Sequence, residues 1–196
     1  RTSRHADTPR MDTPHSRRKV SLDDYDWADL IDQEDKVRML ISPQSEYALA
    51  GAWAMGRAMD DALIAAATGT AYGGVAGGTS VSLPSGNKVA HASAGLTLAK
   101  LLSAKEIIDA SDVDPEEPRF VICAAGQISD LLNVTQVTSA DYNTVKALAQ
   151  GEIDSYLGCK FIRSQSLGLD SHSNRQVLMF KQSALGLDLG ADITTK

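Results

Sequence analysis

TPHSRRKVSLDDYDWADLIDQEDKVRMLISP (Thr13–Pro43) and, three residues on, YALAGAWAMGRAMDDALIAAATGTAYGG (Tyr47–Gly74) are the two runs on which the reading of this chain turns. The first belongs to an arm that begins basic and turns abruptly acidic. Arg1, Arg4, Arg10, Arg17, Arg18 and Lys19 are opposed only by Asp7 and Asp12, and Pro9 and Pro14 break the stretch. Asp23, Asp24, Asp26, Asp29, Asp32, Glu34 and Asp35 follow within a few turns of chain. Residues 1–19 carry no apolar periodicity and read as an extended loop or hairpin arm. An arm that cannot bury itself is offered to a partner, and its opposite-sign neighbour points to another copy of the same chain. The cations are thus expected to make the inter-subunit contact and the carboxylates to form the surface that receives them.

The second run reads as a long helix. Ser42 as N-cap, Pro43 at the first helical position and Glu46 in the first turn mark its start. It continues to about Ala67 and stops at Thr68-Gly69, a span of roughly 36 Å. Nine alanines keep it slim and give high helix propensity. Trp53, Met55, Met59 and Leu63 supply bulk, while Arg57, Asp60 and Asp61 mark a solvated or partner-facing side. The pattern is that of a strut lying on a sheet.

Working outward, residues 69–80 (GTAYGGVAGGTS) read as a flexible Gly-rich loop, and Val81–Val89 as a hairpin turning at Pro84–Asn87. A helix is expected between Thr97 and Ala110, then an acidic turn, then a buried strand at Phe120–Ala124. Gln127–Leu132 suits one or two helical turns, and Ser139 caps a helix to about Gln150. Strands are expected at Gly158–Ser164, Gln176–Lys181 and Leu185–Leu189. Between Val20 and Ile41 the apolar positions suit a strand running into a short helix or turn. Alternating helices and strands make the chain a mixed α/β or α+β protein.

Composition sets bounds on function. With 196 residues, 43% of them hydrophobic, the chain can bury a true core as one domain or two small ones. A net charge of −6 argues against a general nucleic-acid binder, because phosphate contacts need clustered cations. No run approaches the roughly 18 apolar residues of a membrane span, and no signal peptide opens the sequence. There is no starting Met, so the chain reads as a fragment, a processed product or the ordered part of something longer. Cys123 and Cys159 lack metal-type spacing and read as reduced, buried thiols of a protein assembled in a cytoplasm.

The motifs that carry chemistry fail one by one. The Gly-rich loop follows a helix instead of opening one, and it holds neither GxGxxG nor GxxxxGKS/T. The turn at 112–117 lacks the glycine of a calcium loop and has Pro115 inside it. His5, His15, His91 and His172 show no paired spacing and read as solvated surface residues. No GxSxG elbow occurs, and neither cysteine has a base beside it in sequence. The residues propose no reaction, no cofactor and no metal.

The two opening runs, with LTLAKLLSAKEIIDASDVDPEEPRFVI (Leu96–Ile122), VTSADYNTVKALAQGEI (Val137–Ile153) and LGCKFIRSQSLG (Leu157–Gly168), resemble the major capsid proteins of tailed bacteriophages. The likeness covers nearly the whole chain and implies the Hong Kong-phage-type capsid fold, an α+β architecture. It implies the distal and returning part of an E-loop at residues 1–22 and a peripheral domain at 23–95 whose spine helix is 43–67. An axial domain at 96–184 and a return toward the peripheral domain at 185–196 complete that pattern. The family's N-terminal arm, the first half of its E-loop and its last peripheral strand have no counterpart in this sequence. The resemblance implies a structural, non-enzymatic shell subunit, assembled in the host cytoplasm into hexamers and pentamers of an icosahedral head around double-stranded DNA. Portal, scaffold and decoration proteins are the further partners it implies, with DNA as non-specific content and no membrane. Three rivals stand beside it: the shell of a bacterial nanocompartment with the same fold, a soluble α/β enzyme using residues 69–80 as a cofactor loop, and direct nucleic-acid binding by the basic arm.

Overall fold

A computed structural model describes residues 15–30, 43–111, 114–134 and 155–190. Arg1, Arg4, Arg10, Asp32, Glu34, Asp35, the Ser42 cap and the helix expected at 139–150 lie outside those residues. Among the described residues the chain forms three α-helices and two sheets.

The larger sheet has the order β5-β6-β4-β7, with β4 at Arg119–Cys123, β5 at Ser155–Tyr156, β6 at Cys159–Arg163 and β7 at Leu178–Lys181. β4 runs parallel to β6 and antiparallel to β7, and β5 closes a short hairpin onto β6. Strand alternation assigns the two faces. Val121 sits in register with Phe161 and Met179, and its face packs with Leu101, Leu131 and Cys159. Leu101 comes from α2 (Leu98–Asp109) and Leu131 from α3 (Ala125–Leu132), so both helices cover that side. Ile122, in register with Leu178, points the other way and meets Ile64, Ala124 and Leu167. Ile64 is near the end of the long helix α1 (Pro43–Thr68), which therefore caps the opposite face.

Local signals explain the helix ends. Thr97 adopts extended backbone before α2, and its Oγ1 accepts the Lys100 N–H at 3.4 Å. Before α3 the Ala124 N–H donates to Gln127 Oε1 at 2.7 Å, so a side chain three residues on satisfies the entry. α1 reaches 26 residues, close to the expected length. Its inward positions Gly51, Met55, Ala58 and Ala62 recur at three- and four-residue steps and are buried or half-buried.

Three expectations are corrected. Residues 69–80 are not a flexible loop. Ala71–Gly73 (β2) and Thr79–Val81 (β3) pair antiparallel, and Gly74 and Gly77 turn the chain at φ 88° and 65°. The hairpin expected at 81–89 does not form. β3 ends at Val81, and after Pro84 the chain takes a single 3-10 turn, Ser85–Asn87, with Asn87 N–H donating to Pro84 O at 3.0 Å. Leu185–Leu189 makes no strand either. It follows a 3-10 turn at Gln182–Ala184 and finds no partner strand among the described residues, which leaves Leu187 and Leu189 exposed.

Candidate inter-subunit surface

The described end of the basic arm is held by the glycine-rich hairpin. Arg18–Lys19 form β1, paired with β2 so that Arg18 opposes Gly73 and Lys19 opposes Tyr72. The glycines make this approach possible. A Cβ at Gly77 would stand 2.8 Å from Lys19 Cδ, and one at Gly73 would stand 2.9 Å from Arg18 Nη1. The stem of Lys19 lies on backbone while its charge stays in water. Arg17, Arg18 and Lys19 are exposed and enter no ion pair among the described residues.

The acidic run that follows has no regular structure over 20–30. Asp23, Asp24, Asp26 and Asp29 are exposed and likewise unpaired among the described residues, and Asp29 Oδ1 accepts only the adjacent Leu30 N–H, at 2.8 Å. Two apolar anchors tie this stretch down. Leu22 rests on Gly190, and the Trp27 ring rests on Gly51 of α1, where a Cβ would come within 2.7 Å of Trp27 Cε3. Val20, Tyr25 and Leu30 remain in water.

The outward side of α1 is the third part. Leu49 and Trp53, one turn apart, are 45% and 62% exposed, and Arg57, Asp60 and Asp61 continue the same side, exposed and without ion pairs among the described residues. Cations, carboxylates and large apolar groups are thus all present at the surface. Sequence reasoning singled out the charged residues as contact candidates. It missed the hairpin that carries Arg18 and Lys19, since a pairing between 18–19 and 71–73 leaves no mark in local pattern.

The rest of the molecule is built for structure. Lys105 donates to Asp109 at 2.9 Å, and Arg119 pairs with the same carboxylate. The Lys105 hydrogen bond, followed by the charges around it, holds the Asp109 carboxyl below its ordinary range. Lys181, almost wholly buried, donates to the Asp114 carbonyl and lies 3.4 Å from Glu117 Oε2. Glu117 is held low chiefly by Ser183, whose N–H reaches Oε1 at 2.6 Å. Burial pushes the Cys123 thiol up to about 11 and raises Cys159 as well, leaving both protonated and poor nucleophiles. Among the described residues no group of three His, Cys, Asp or Glu is arranged to hold a metal, and no helix is long and apolar enough to cross a membrane. His91 and His172 are an exception to the scattered-histidine reading: both are exposed, yet their rings lie 5.3 Å apart.

No curated protein and no solved structure matches the chain. A protein family does, along residues 1–196, the whole of the sequence, and its description agrees with a surface that waits for partners: this chain belongs to the phage capsid protein family.

Proposed function

We propose that this structural protein of the phage virion is the subunit that tiles into hexamers and pentamers and closes an icosahedral head around double-stranded DNA. The observation that carries the proposal is the open flank of α1, where Leu49 and Trp53 lie in water on the side that also carries exposed Arg57, Asp60 and Asp61. In this reading the fold is of the Hong Kong-phage type. Residues 1–22 serve as the returning E-loop, 23–95 as the peripheral domain with α1 as its spine, 96–184 as the axial domain, and 185–196 as the return. The body around Arg17, Arg18 and Lys19 is anchored on its own hairpin, so these side chains project from a fixed base toward the Asp23–Asp29 flank of a neighbour. Each such exposed ion pair contributes well under about 1 kcal/mol and weakens with salt, but a shell repeats it many times. A net-acidic container also avoids gripping the DNA it holds. Portal, scaffold and decoration proteins would meet the finished lattice.

Electron microscopy of the expressed full-length protein tests this. Closed shells of uniform diameter are expected. A subunit that stays solitary at high concentration overturns the proposal, and shells that retain protein cargo where DNA was available would make it a nanocompartment instead.

A further inference from the structure

His91 and His172 belong to different loops, one entering α2 and the other between β6 and β7, and their rings are tilted by 38° with centroids 5.3 Å apart. The Ser93 N–H donates to His91 Nδ1 at 3.0 Å. A donor at that nitrogen makes it the acceptor, so the neutral ring carries its own proton on Nε2. That assignment also removes the free Nε2 lone pair a metal ion would need, so the pair is not a ligand set.

The turn that follows is strained. Ala92 and Ser93 both have positive φ, 48° and 51°, a region that side chains other than glycine's avoid. Four interactions hold it. Lys100 Nζ donates to the carbonyls of His91, Ala94 and Gly95 at 2.5, 2.6 and 2.8 Å. The Ala94 N–H donates to His91 O at 3.1 Å, and the Leu96 N–H donates to Asp130 Oδ2 at 3.1 Å. The fourth is the Ser93–His91 bond, and it alone depends on the charge state of a histidine.

The charged and titratable groups around His91 come from several elements. From α2 the Lys100 ammonium sits on the His91 carbonyl, and from the facing loop comes His172. Lys88 lies on the same segment as His91. Two carboxylates accept hydrogen bonds at the turn and in the facing loop, and the Asp170 charge also acts on His172. Asp130, from α3, binds the Leu96 N–H, while Asp170 accepts from the His172 and Asn174 backbone N–H groups, each at 2.8 Å. The Arg175 guanidinium is turned to the carbonyls of Gln165 and Leu167.

We propose that His91 is a pH-operated latch that holds the 91–95 turn in its strained form and against the 168–175 loop when neutral, and releases both when protonated. A proton taken from solvent by Nδ1 replaces an acceptor with a donor facing the Ser93 N–H, and it adds a positive charge to the segment whose carbonyls bind the Lys100 ammonium. The turn then relaxes toward ordinary φ values and the two loops part. The latch is a property of the single subunit, so its failure would leave the shell reading untouched.

Hydrogen exchange of the full chain reads it directly, with rates corrected for the intrinsic effect of pH. Protection of the Ser93 and Ala94 amides should fall by about tenfold or more between about pH 8 and about pH 5, the interval across which histidine changes charge. In His91→Asn the amide oxygen can accept the same N–H at any pH, so protection should persist throughout. His91→Ala should be unprotected at both ends. The Val121 amide in β4 reports in the same experiment that each variant is folded. Equal protection of the wild-type turn at both ends of the range, or a loss that survives in His91→Asn, overturns the latch.

Discussion

Glu117 and Asp109 show what single side chains contribute here, and the sign of their pH dependence follows from geometry. Both carboxyls are held below their ordinary values of 4.5 and 3.8, Glu117 first by Ser183 and Asp109 first by Lys105. A lowered folded-state pKa gives stability that is present above the ordinary value and lost as pH falls through the lowered one. Melting temperature should therefore hold from neutrality to about pH 5 and drop below about pH 4.5. Glu117→Gln should melt lower than wild type at neutral pH and show a shallower acid decline. Identical melting curves for the two proteins would show that Glu117 does not clamp the Lys181 and Ser183 end of the sheet. The thiols give a second test. Cys123 and Cys159 should resist iodoacetamide in the native protein and react fully in denaturant, and native labelling at neutral pH would contradict their burial. Their burial was legible in the sequence, because Cys123 sits in an apolar run and Cys159 in a strand-like one. The approach of His91 to His172 was not, since it depends on two loops that only the assembled sheet brings together.

At the scale of elements, α1 has two unlike faces, one half-buried and one exposed. A Cβ at Gly51 cannot coexist with the present position of Trp27, which is held only by contacts on an otherwise irregular stretch. Alanine at Gly51 adds about 1 kcal/mol of helix propensity, so stability should change little while the ring is pushed outward. In a Trp53→Phe background, Gly51→Ala should shift the remaining tryptophan emission to the red. An unmoved spectrum would mean that the ring packs elsewhere. Ala62 lies on the same half-buried side, and Ala62→Trp should cost about 1–3 kcal/mol through overpacking. Chemical denaturation measures this, and no loss would show the side to be open. α1, α2 and β4 were readable beforehand because each has a clear cap or a run of the right period. The 69–80 segment misled for a physical reason: its glycines serve a close approach by Lys19 and Arg18, and a glycine in a hairpin looks the same in sequence as one in a flexible loop. The alternation at Leu185–Leu189 misled in the opposite way, since period-two spacing makes a strand only where an edge is there to receive it.

For the whole molecule the question is which surfaces meet. Arg17, Arg18 and Lys19 are exposed, and their side chains stand away from both buried clusters. Reversing all three to Glu should leave the subunit's melting temperature within a few degrees, since exposed charges contribute well under about 1 kcal/mol each. The same variant should assemble poorly, because the repeated contact changes from attraction to repulsion. Micrographs and melting curves of one preparation separate the two effects, and normal particles would rule out the proposed role for this strand. The adjoining basic and acidic stretches were visible in the sequence as charges with nothing to bind, whereas Trp53 read as packing bulk and instead stands 62% exposed. Which neighbour they meet is a relation between molecules, and a single chain encodes only one side of it.

The strand order of the larger sheet has a consequence for synthesis. β4 is flanked on one side by β6 and on the other by β7, so its hydrogen bonds cannot be completed until Lys181 has left the ribosome. Until that moment only helices cover Val121 and Ile122, and the edge of β4 that β7 will take has no strand partner. Late closure of this kind means that a polypeptide terminated before β7 cannot complete the larger sheet.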